Sequence, residues 1–581
     1  MSQTILCVPL EVKPKSAEVL SRLVHNLRRD FDAVEDPELG NFPAIQTGIP
    51  SAHFLSICLF RHGSYDPLLV IEANFDGPPG PFWSQFERTF GDERLRELLR
   101  CCKEPRDGKA VMFKAITAIG SRAPVAPYLE RVTHWPSASH QGNRGLSRDR
   151  IRAEAALALA IEAELDGDVA YQAAKAQPGA TEEVAQAARS ATTAAYRAMA
   201  PCAIHDALRS RITPQFPWLD LPAPTRMPAG EDWLDVLRLW LFAAVILAAL
   251  LLPGALLHTA LGTPLYLTVV AVLATVAALG LRGEGGWAGL MPPRAPRATP
   301  PPTTAGAGGK PAGNGRLVAA FVLALIAAPL LLFLLPAIGF ILLTLAGQAP
   351  GVGLGALLDQ VLLATAWGIA GLVPLVFGLA WLVRHNERRD APQDLPPLDP
   401  QTLAEIVRRE DRVTQNHMAS LVLIRPGIMR SLVIRAGHSA LHLVLRVRPD
   451  TRAGYLGSMR TVHFAHWSFL DNGSRLVFLS NFDHSWPSYL DDFIEKAHFG
   501  TTLAWSCSVG FPRTNWLVRD GAADGRKFKT YALASRTVSR FWYSAYPKLT
   551  VDRIERHSAI AEGFRALSLS DEEAAAWLRL L

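Results

Sequence analysis

Residues 239–258, 264–281, 317–346 and 356–383 form four runs too long and too apolar to be ordinary core helices. A helix crosses the hydrocarbon of a bilayer in roughly 20 mostly apolar residues, and Asp359 is the one carboxylate inside any of the four. The hairpin turns at 260–263 and 347–355 carry no Lys or Arg. The connection between the hairpins holds Arg282, Arg294, Arg297, Lys310 and Arg316, and the last run leaves through Arg384, Arg388 and Arg389. Basic flanks stay on the cytoplasmic side. The expectation is therefore a four-span membrane block with both termini in the cytoplasm. Pro329 and Pro336 predict a kinked or tilted third span. The connection 291–315 is dominated by Pro, Gly, Ala and Thr, which bury no core, and reads as a disordered linker.

This block divides a chain of 581 residues, which leaves room for two polar domains. The divisions are 1–165, an Ala-rich helical connection at 166–232, the membrane block at 233–383, a linker and helix at 384–416, and 417–581. A net charge of +6 follows from the basic flanks. No run of Lys and Arg interleaved with aromatics speaks for nucleic acid. Cys7, Cys58, Cys101, Cys102, Cys202 and Cys507 lack paired metal spacing and read as reduced thiols. The first residues read as a strand rather than a secretory signal, so the first span is expected to direct insertion.

The two polar halves repeat one pattern. His53-Phe54 matches His463-Phe464, Asn74-Phe75-Asp76 matches Asn481-Phe482-Asp483, and Pro105-Arg106 matches Pro512-Arg513. Phe113-Lys114 matches Phe528-Lys529, Trp135-Pro136 matches Tyr546-Pro547, and Arg148 to Ile151 matches Val551 to Ile554. A shared order at a nearly constant offset signals duplication. Strands are expected at 4–12, 53–60, 68–74 and 125–132, then at 418–424, 462–470, 475–481 and 538–546, with helices between them. That order is the split βαβ, ferredoxin-like arrangement. Ser147 is expected to cap a helix over 147–165. Both faces of the strands at 53–60 and 462–470 are largely apolar, so both need covering. Helices cover one face and a second sheet covers the other. The expected fold class is α+β: two ferredoxin-like repeats closing as a pseudo-dimeric α/β barrel, with the four-helix membrane block inserted between them. Pairing of each copy with its equivalent in another subunit is the competing arrangement.

The segments Thr461-Val462-His463-Phe464-Ala465, Asn481-Phe482-Asp483, Gly510-Phe511-Pro512-Arg513 and Trp542-Tyr543-Ser544-Ala545-Tyr546-Pro547 resemble bacterial proteins of the dimeric α/β-barrel superfamily. That superfamily includes dye-decolorising peroxidases and chlorite dismutases, which are haem enzymes. The resemblance covers the two polar halves and implies a haem or an apolar small molecule in the barrel, with peroxidase-like oxidoreductase activity. The Gly-x-x-Asp-Gly motif of the peroxidases is absent; the nearest segments read Asn74-Phe75-Asp76-Gly77 and Asn481-Phe482-Asp483-His484.

His53 and His463 recur at one repeat position, as pocket residues or as strand-end histidines bonded to a neighbour. His466, His484 and His498 occur in the second copy alone. His466 is the candidate axial ligand of a haem iron, and Arg513, with its counterpart Arg106, a candidate carboxylate clamp. Asp76 and Asp483 follow a strand and precede a helix, where an Asp caps free N–H groups. No phosphate loop, nucleophile elbow or metal-spaced cluster is visible. The alternative to an enzyme is a non-catalytic, membrane-anchored ligand-binding or scaffolding protein. In the segment 428–447, Ser431, Arg435, His438, His442 and Arg446 form one stripe on an otherwise apolar helix. Two placements fit it: buried between domains, or lying in the headgroup layer with a lipid-derived molecule entering beside it.

Overall fold

The structure is a computed structural model that describes residues 3–32, 42–62, 65–222, 225–227, 229–284, 353–389, 398–410, 414–447 and 461–581. The expected third span at 317–346 and the linker at 291–315 lie outside the described residues.

The fold is mixed α+β, with antiparallel sheets and, among the described residues, three helices long and apolar enough to cross a membrane. In the first half, β1 (Gln3–Glu11), β2 (Ala52–His62) and β3 (Tyr65–Asp76) pair in the order β1-β3-β2. In the second half, β5 (Gln415–Leu423), β6 (Val462–Leu470) and β7 (Arg475–Asp483) pair as β5-β7-β6. Registers agree between the halves: Gln3 lies opposite Asp76 and Gln415 opposite Asp483. Each pairing of the second strand slips by one residue at its histidine, between Ala52 and Phe54 and between Val462 and Phe464. His53 and His463 are thus the extra residues of two equivalent bulges.

The fourth strand of each half does not stay at home. Cys7 makes a single bridge to His134, after which β4 (Ala138–Gln141) pairs with β6 of the other sheet. In the second half, β10 (Arg536–Thr537) pairs with β5, and β11 (Phe541–Ser544) then joins β2. Two crossing segments therefore tie the sheets β1-β3-β2-β11 and β10-β5-β7-β6-β4 within one chain. A small hairpin, β8 (Thr514–Asn515) and β9 (Arg519–Asp520), stands apart from both. Between the sheets lie Cys7, Cys58, Phe60 and Val70 from one side and Ala419, Leu421, Val477 and Leu479 from the other. Helices pack over the first sheet's outer face around Phe82, Phe86 and Phe90, and over the second's around Tyr489, Phe493 and Trp505.

Three sequence expectations are corrected. Residues 125–132 form no strand: the Glu87 carboxylate accepts the N–H groups of Val125 (2.7 Å) and Ala126 (2.9 Å) and so starts a helix, Ala126–Arg131. The strand expected at 538–546 is broken where the chain crosses between sheets. Trp135 is not the counterpart of Tyr546. Ala138 opposite Trp467 and Phe541 opposite Ile57 make Asn143 the counterpart of Tyr546.

The helix Arg148–Leu165, capped by Ser147 as expected, packs beside its counterpart Val551–Arg565, capped by Thr550. With the helices of the connection and the last helix they bury Leu157, Ile161, Tyr196, Leu208, Ile560, Phe564 and Trp577. The three membrane-type helices are Ala229–Leu261, Thr263–Gly283 and Leu354–Arg389. They meet through small residues: a Cβ on Gly371 would lie 2.6 Å from Gly254 Cα. Such contacts let backbones approach where lipid supplies no hydrophobic drive. Tyr266 donates to the Trp367 carbonyl beside a His258–Trp367 stack at 4.4 Å. The outward faces carry exposed Leu241, Val245, Leu252, Val272, Val276, Leu363, Ile369 and Val376, an apolar belt suited to lipid.

Candidate functional site

Each half builds the same latch from the end of its third strand. Asp76 lies 3.1 Å from His53 Nε2, and its other oxygen accepts the N–H of Arg148 at 2.8 Å. Asp483 lies 2.7 Å from His463 Nε2 and accepts the N–H of Val551 at 2.8 Å. The aspartates therefore serve helix N-termini, as expected of their type, but those of the fourth-strand helices rather than the helices that follow them directly. The Gln3 amide donates to the carbonyls of Asn143 and Leu146, and Gln415 to those of their counterparts Tyr546 and Leu549. His484 holds a positive φ of 66° where Gly77 holds 94°, and their carbonyls accept from Asn416 and Thr4. His53 also lies 2.8 Å from the Tyr546 hydroxyl. Both histidines pair with their aspartates as parts of the duplicated frame, while His463 Nδ1 is buried without a hydrogen bond.

Between the sheets the symmetry breaks, and chemistry collects there. Glu72 on β3 has no exposed surface, and a bare buried carboxylate would cost several kcal/mol. Four donors surround it: His417 Nε2 (2.7 Å), Ser56 Oγ (2.9 Å), Asn74 Nδ2 (2.9 Å) and Asn481 Nδ2 (3.1 Å). Burial pushes the Glu72 carboxyl up, but the charge and hydrogen bond of His417, with His466 and Asn74, outweigh it and hold the group down at about 2. Burial pushes His417 down, and the Glu72 charge reverses this and raises the imidazole to about 9. On its far side His417 Nδ1 lies 2.5 Å from Ser539 Oγ, and Cys58 Sγ lies 3.5 Å from the same oxygen. Ser539 is partly exposed in the crossing segment between β10 and β11, whereas Cys58 is sealed. A hydroxyl, an imidazole and a carboxylate thus run in line from the edge of the body to its interior. Ser539 comes from the crossing segment, His417 from the first strand of one sheet and Glu72 from the third strand of the other.

The register supplies an internal control. The counterpart of Glu72 is Leu479, that of His417 is Ile5, and that of Ser539 is Pro136. The same frame packs with apolar residues at the equivalent place.

His466 also lies in this layer, with Nδ1 3.7 Å from Glu72 and neither ring nitrogen hydrogen-bonded. Burial pushes it down to about 4, so it is neutral. It exposes no surface even to an internal void. An iron ligand needs an open face toward the porphyrin, and here that face is filled by protein; these residues do not fit a haem. Arg513 is not brought to the layer. It donates to the carbonyls of Glu387 (3.3 Å) and Arg388 (3.0 Å) at the end of the last membrane-type helix. Arg106 is exposed, and His498 lies against Phe499 in a tilted ring contact at 4.7 Å, apart from the centre. The signal that sequence reading passed over is the lone Glu72 within an apolar strand expected to be covered on both faces.

The body also holds the first and the last of the membrane-type helices, each through a buried carboxylate. Asp235, buried on the first membrane-type helix, takes Arg144 (2.7 Å) and Arg446 (3.0 Å) from the two halves. Glu387, buried near the end of the last one, accepts from Thr514 Oγ1 (3.0 Å) and the N–H groups of Trp516 (3.0 Å) and Leu517 (2.7 Å). Trp516 and Leu517 are the tip of the β8–β9 hairpin and hold φ of 57° and 65°. Side chains pay for that left-handed backbone by ~1–2 kcal/mol each, and the carboxylate offsets it with two charge-assisted bonds. The stripe on the helix Ile428–Val447 faces protein at His438, His442 and Arg446, while Arg435 is exposed. His438 meets Ser137 Oγ (2.8 Å) and the Ala504 carbonyl (3.0 Å), and Leu443, Val444 and Val447 pack on Val236 and Leu239. Burial pushes both His438 and His442 down to about 4, so neither gains charge at mildly acidic pH.

Compared with known proteins, the chain matches no family model, no curated protein and no solved structure.

Proposed function

We propose that the protein is a membrane-anchored scaffold whose two-sheet body is mechanically joined to the helices that carry it. The observation behind this reading is the seating of Glu387 in a strained hairpin of the body. The hairpin's two left-handed residues donate their N–H groups to that carboxylate, so a movement of the last membrane-type helix is passed to the hairpin. Asp235 gives the first helix a second attachment. The finer reading places the chain in a bacterial inner membrane, with four spans, 317–346 being the remaining one, and both termini cytoplasmic. Its support is the basic charge of the polar flanks beside charge-free hairpin turns. The halves are read as ferredoxin-like repeats closing as a pseudo-dimeric α/β barrel, supported by the two crossing strands.

Hydrogen exchange on the full chain in lipid nanodiscs tests the coupling. Glu387→Ala with Asp235→Ala is expected to raise exchange in the hairpin 514–520 and in the helix 428–447 while β3 and β7 stay protected. Unchanged exchange in both grips means that the body merely hangs from the membrane, and the scaffold reading fails.

A further inference from the structure

We infer that Ser539 is a catalytic nucleophile toward carboxylic esters, with His417 as its base and Glu72 as the group that positions that base. This goes beyond the scaffold reading and does not depend on it. Three observations carry it. The hydroxyl, imidazole and carboxylate are in hydrogen-bond contact in sequence, at 2.5 Å and 2.7 Å, the relation an activated serine requires. The order of exposure is right: Ser539 is open to solvent in part, while His417 and Glu72 lie behind it, away from competing water. The frame does not demand these residues, because at the equivalent place it is built with Pro136, Ile5 and Leu479. A buried ion pair adds little net stability over well-packed apolar residues, and the other copy of the frame does without one.

The ring is turned relative to the usual serine hydrolase order, with Nδ1 toward serine and Nε2 toward the acid; the proton path is the same. In the neutral imidazole Glu72 holds the proton on Nε2, leaving Nδ1 to receive one. Ser539 Oγ attacks the ester carbonyl carbon while its proton passes to His417 Nδ1. The carbon–alkoxy bond then breaks, and that proton leaves with the alkoxide as an alcohol. Water attacks the acyl-serine and gives a proton to Nδ1. The Oγ–carbonyl bond breaks, the serine recovers the proton, and a carboxylic acid departs. Nothing is oxidised or reduced, and the sum is ester plus water to acid plus alcohol.

The groups facing His417 are Glu72 from β3, His466 from β6, the Cys58 thiol from β2 and the Ser539 hydroxyl. Glu72 is ionised and His466 neutral throughout the neutral range, so the base appears as His417 itself loses its proton.

The test uses the full chain in detergent and a fluorophosphonate, which modifies only activated serines, with adducts mapped by mass spectrometry. Ser539 is expected to react at least ~100-fold faster than the surface serines Ser84, Ser190 and Ser210, in keeping with general-base assistance. Its rate is expected to rise about tenfold per pH unit up to about pH 9. Ser539→Ala should abolish the adduct, and His417→Gln should slow it to the rate of surface serines. The pH profile of the unaltered protein keeps the test decisive if His417→Gln does not fold. A Ser539 that reacts no faster than the surface serines, or whose rate is flat with pH, overturns the inference.

Discussion

Replacing Glu72 by Leu and His417 by Ile writes into one end of the inter-sheet layer what Leu479 and Ile5 already provide at the other. The energetic consequence can be worked from the ion pair. His417 is raised from about 6.5 to about 9 in the folded protein, so its contribution is fully present below about pH 6.5 and disappears as the pH climbs through about 9. At ~1.4 kcal/mol per pH unit, that gap makes the unaltered protein ~3 kcal/mol less stable near pH 9 than near pH 6. Glu72, held down at about 2, contributes above its ordinary value of 4.5 and loses its share only in acid, outside this window.

The single variants are expected to differ. Glu72→Leu leaves Ser56, Asn74 and Asn481 without their acceptor and His417 without its counter-charge, for ~3–5 kcal/mol. His417→Ile costs less, because Glu72 keeps three donors and His466 stands 3.7 Å away to take up charge. The double variant removes both charges and recovers part of the loss, but the three stranded polar side chains, at ~1 kcal/mol each, hold it below the unaltered protein near pH 6. Denaturant unfolding in detergent, followed by tryptophan emission at several pH values, measures all four proteins. A double variant whose stability falls with pH as steeply as the unaltered chain's would refute the argument that this pair carries the slope.

Gly371→Leu is expected to force the first and last membrane-type helices apart, because even a Cβ there meets Gly254 Cα at 2.6 Å; loss of disulfide crosslinking between cysteines placed at 251 and 368 measures it, and unchanged crosslinking counts against the packing. Asp483→Ala is expected to cost ~2–3 kcal/mol by baring the N-terminus of the helix Val551–Arg565 and unpairing His463. Asp76→Ala should cost about as much for the same reason, with faster hydrogen exchange confined to the helix whose cap was removed.

Much of the frame was legible in the sequence, since local chemistry specifies it. Strand periodicity placed β6 at 462–470 as observed, and the caps Ser147 and Thr550 lie where the side chains that satisfy helix N–H groups occur. Hydrophobic length marked the membrane-type helices, and the repeated His–Phe and Asn–Phe–Asp pairs marked the duplication. Sequence pattern misread 125–132 because Glu87, some forty residues earlier, supplies the helix-starting acceptor there. It put haem chemistry at His466 and Arg513, which the fold sends to the sealed inter-sheet layer and to the end of a membrane-type helix respectively.

What the sequence determined by itself was the part governed by neighbours along the chain: apolar length, strand alternation, helix caps and the fact of two copies. The tertiary structure alone decided how the copies meet, which fourth strand joins which sheet, and which side chains become neighbours as a result. Glu72 and His417 are 345 residues apart and His417 and Ser539 are 122 apart, and no local periodicity relates them. They meet because the Ser539 segment crosses from one sheet to the other and the two inner faces close on each other, and burial then turns an ordinary Glu and His into a tightly coupled pair.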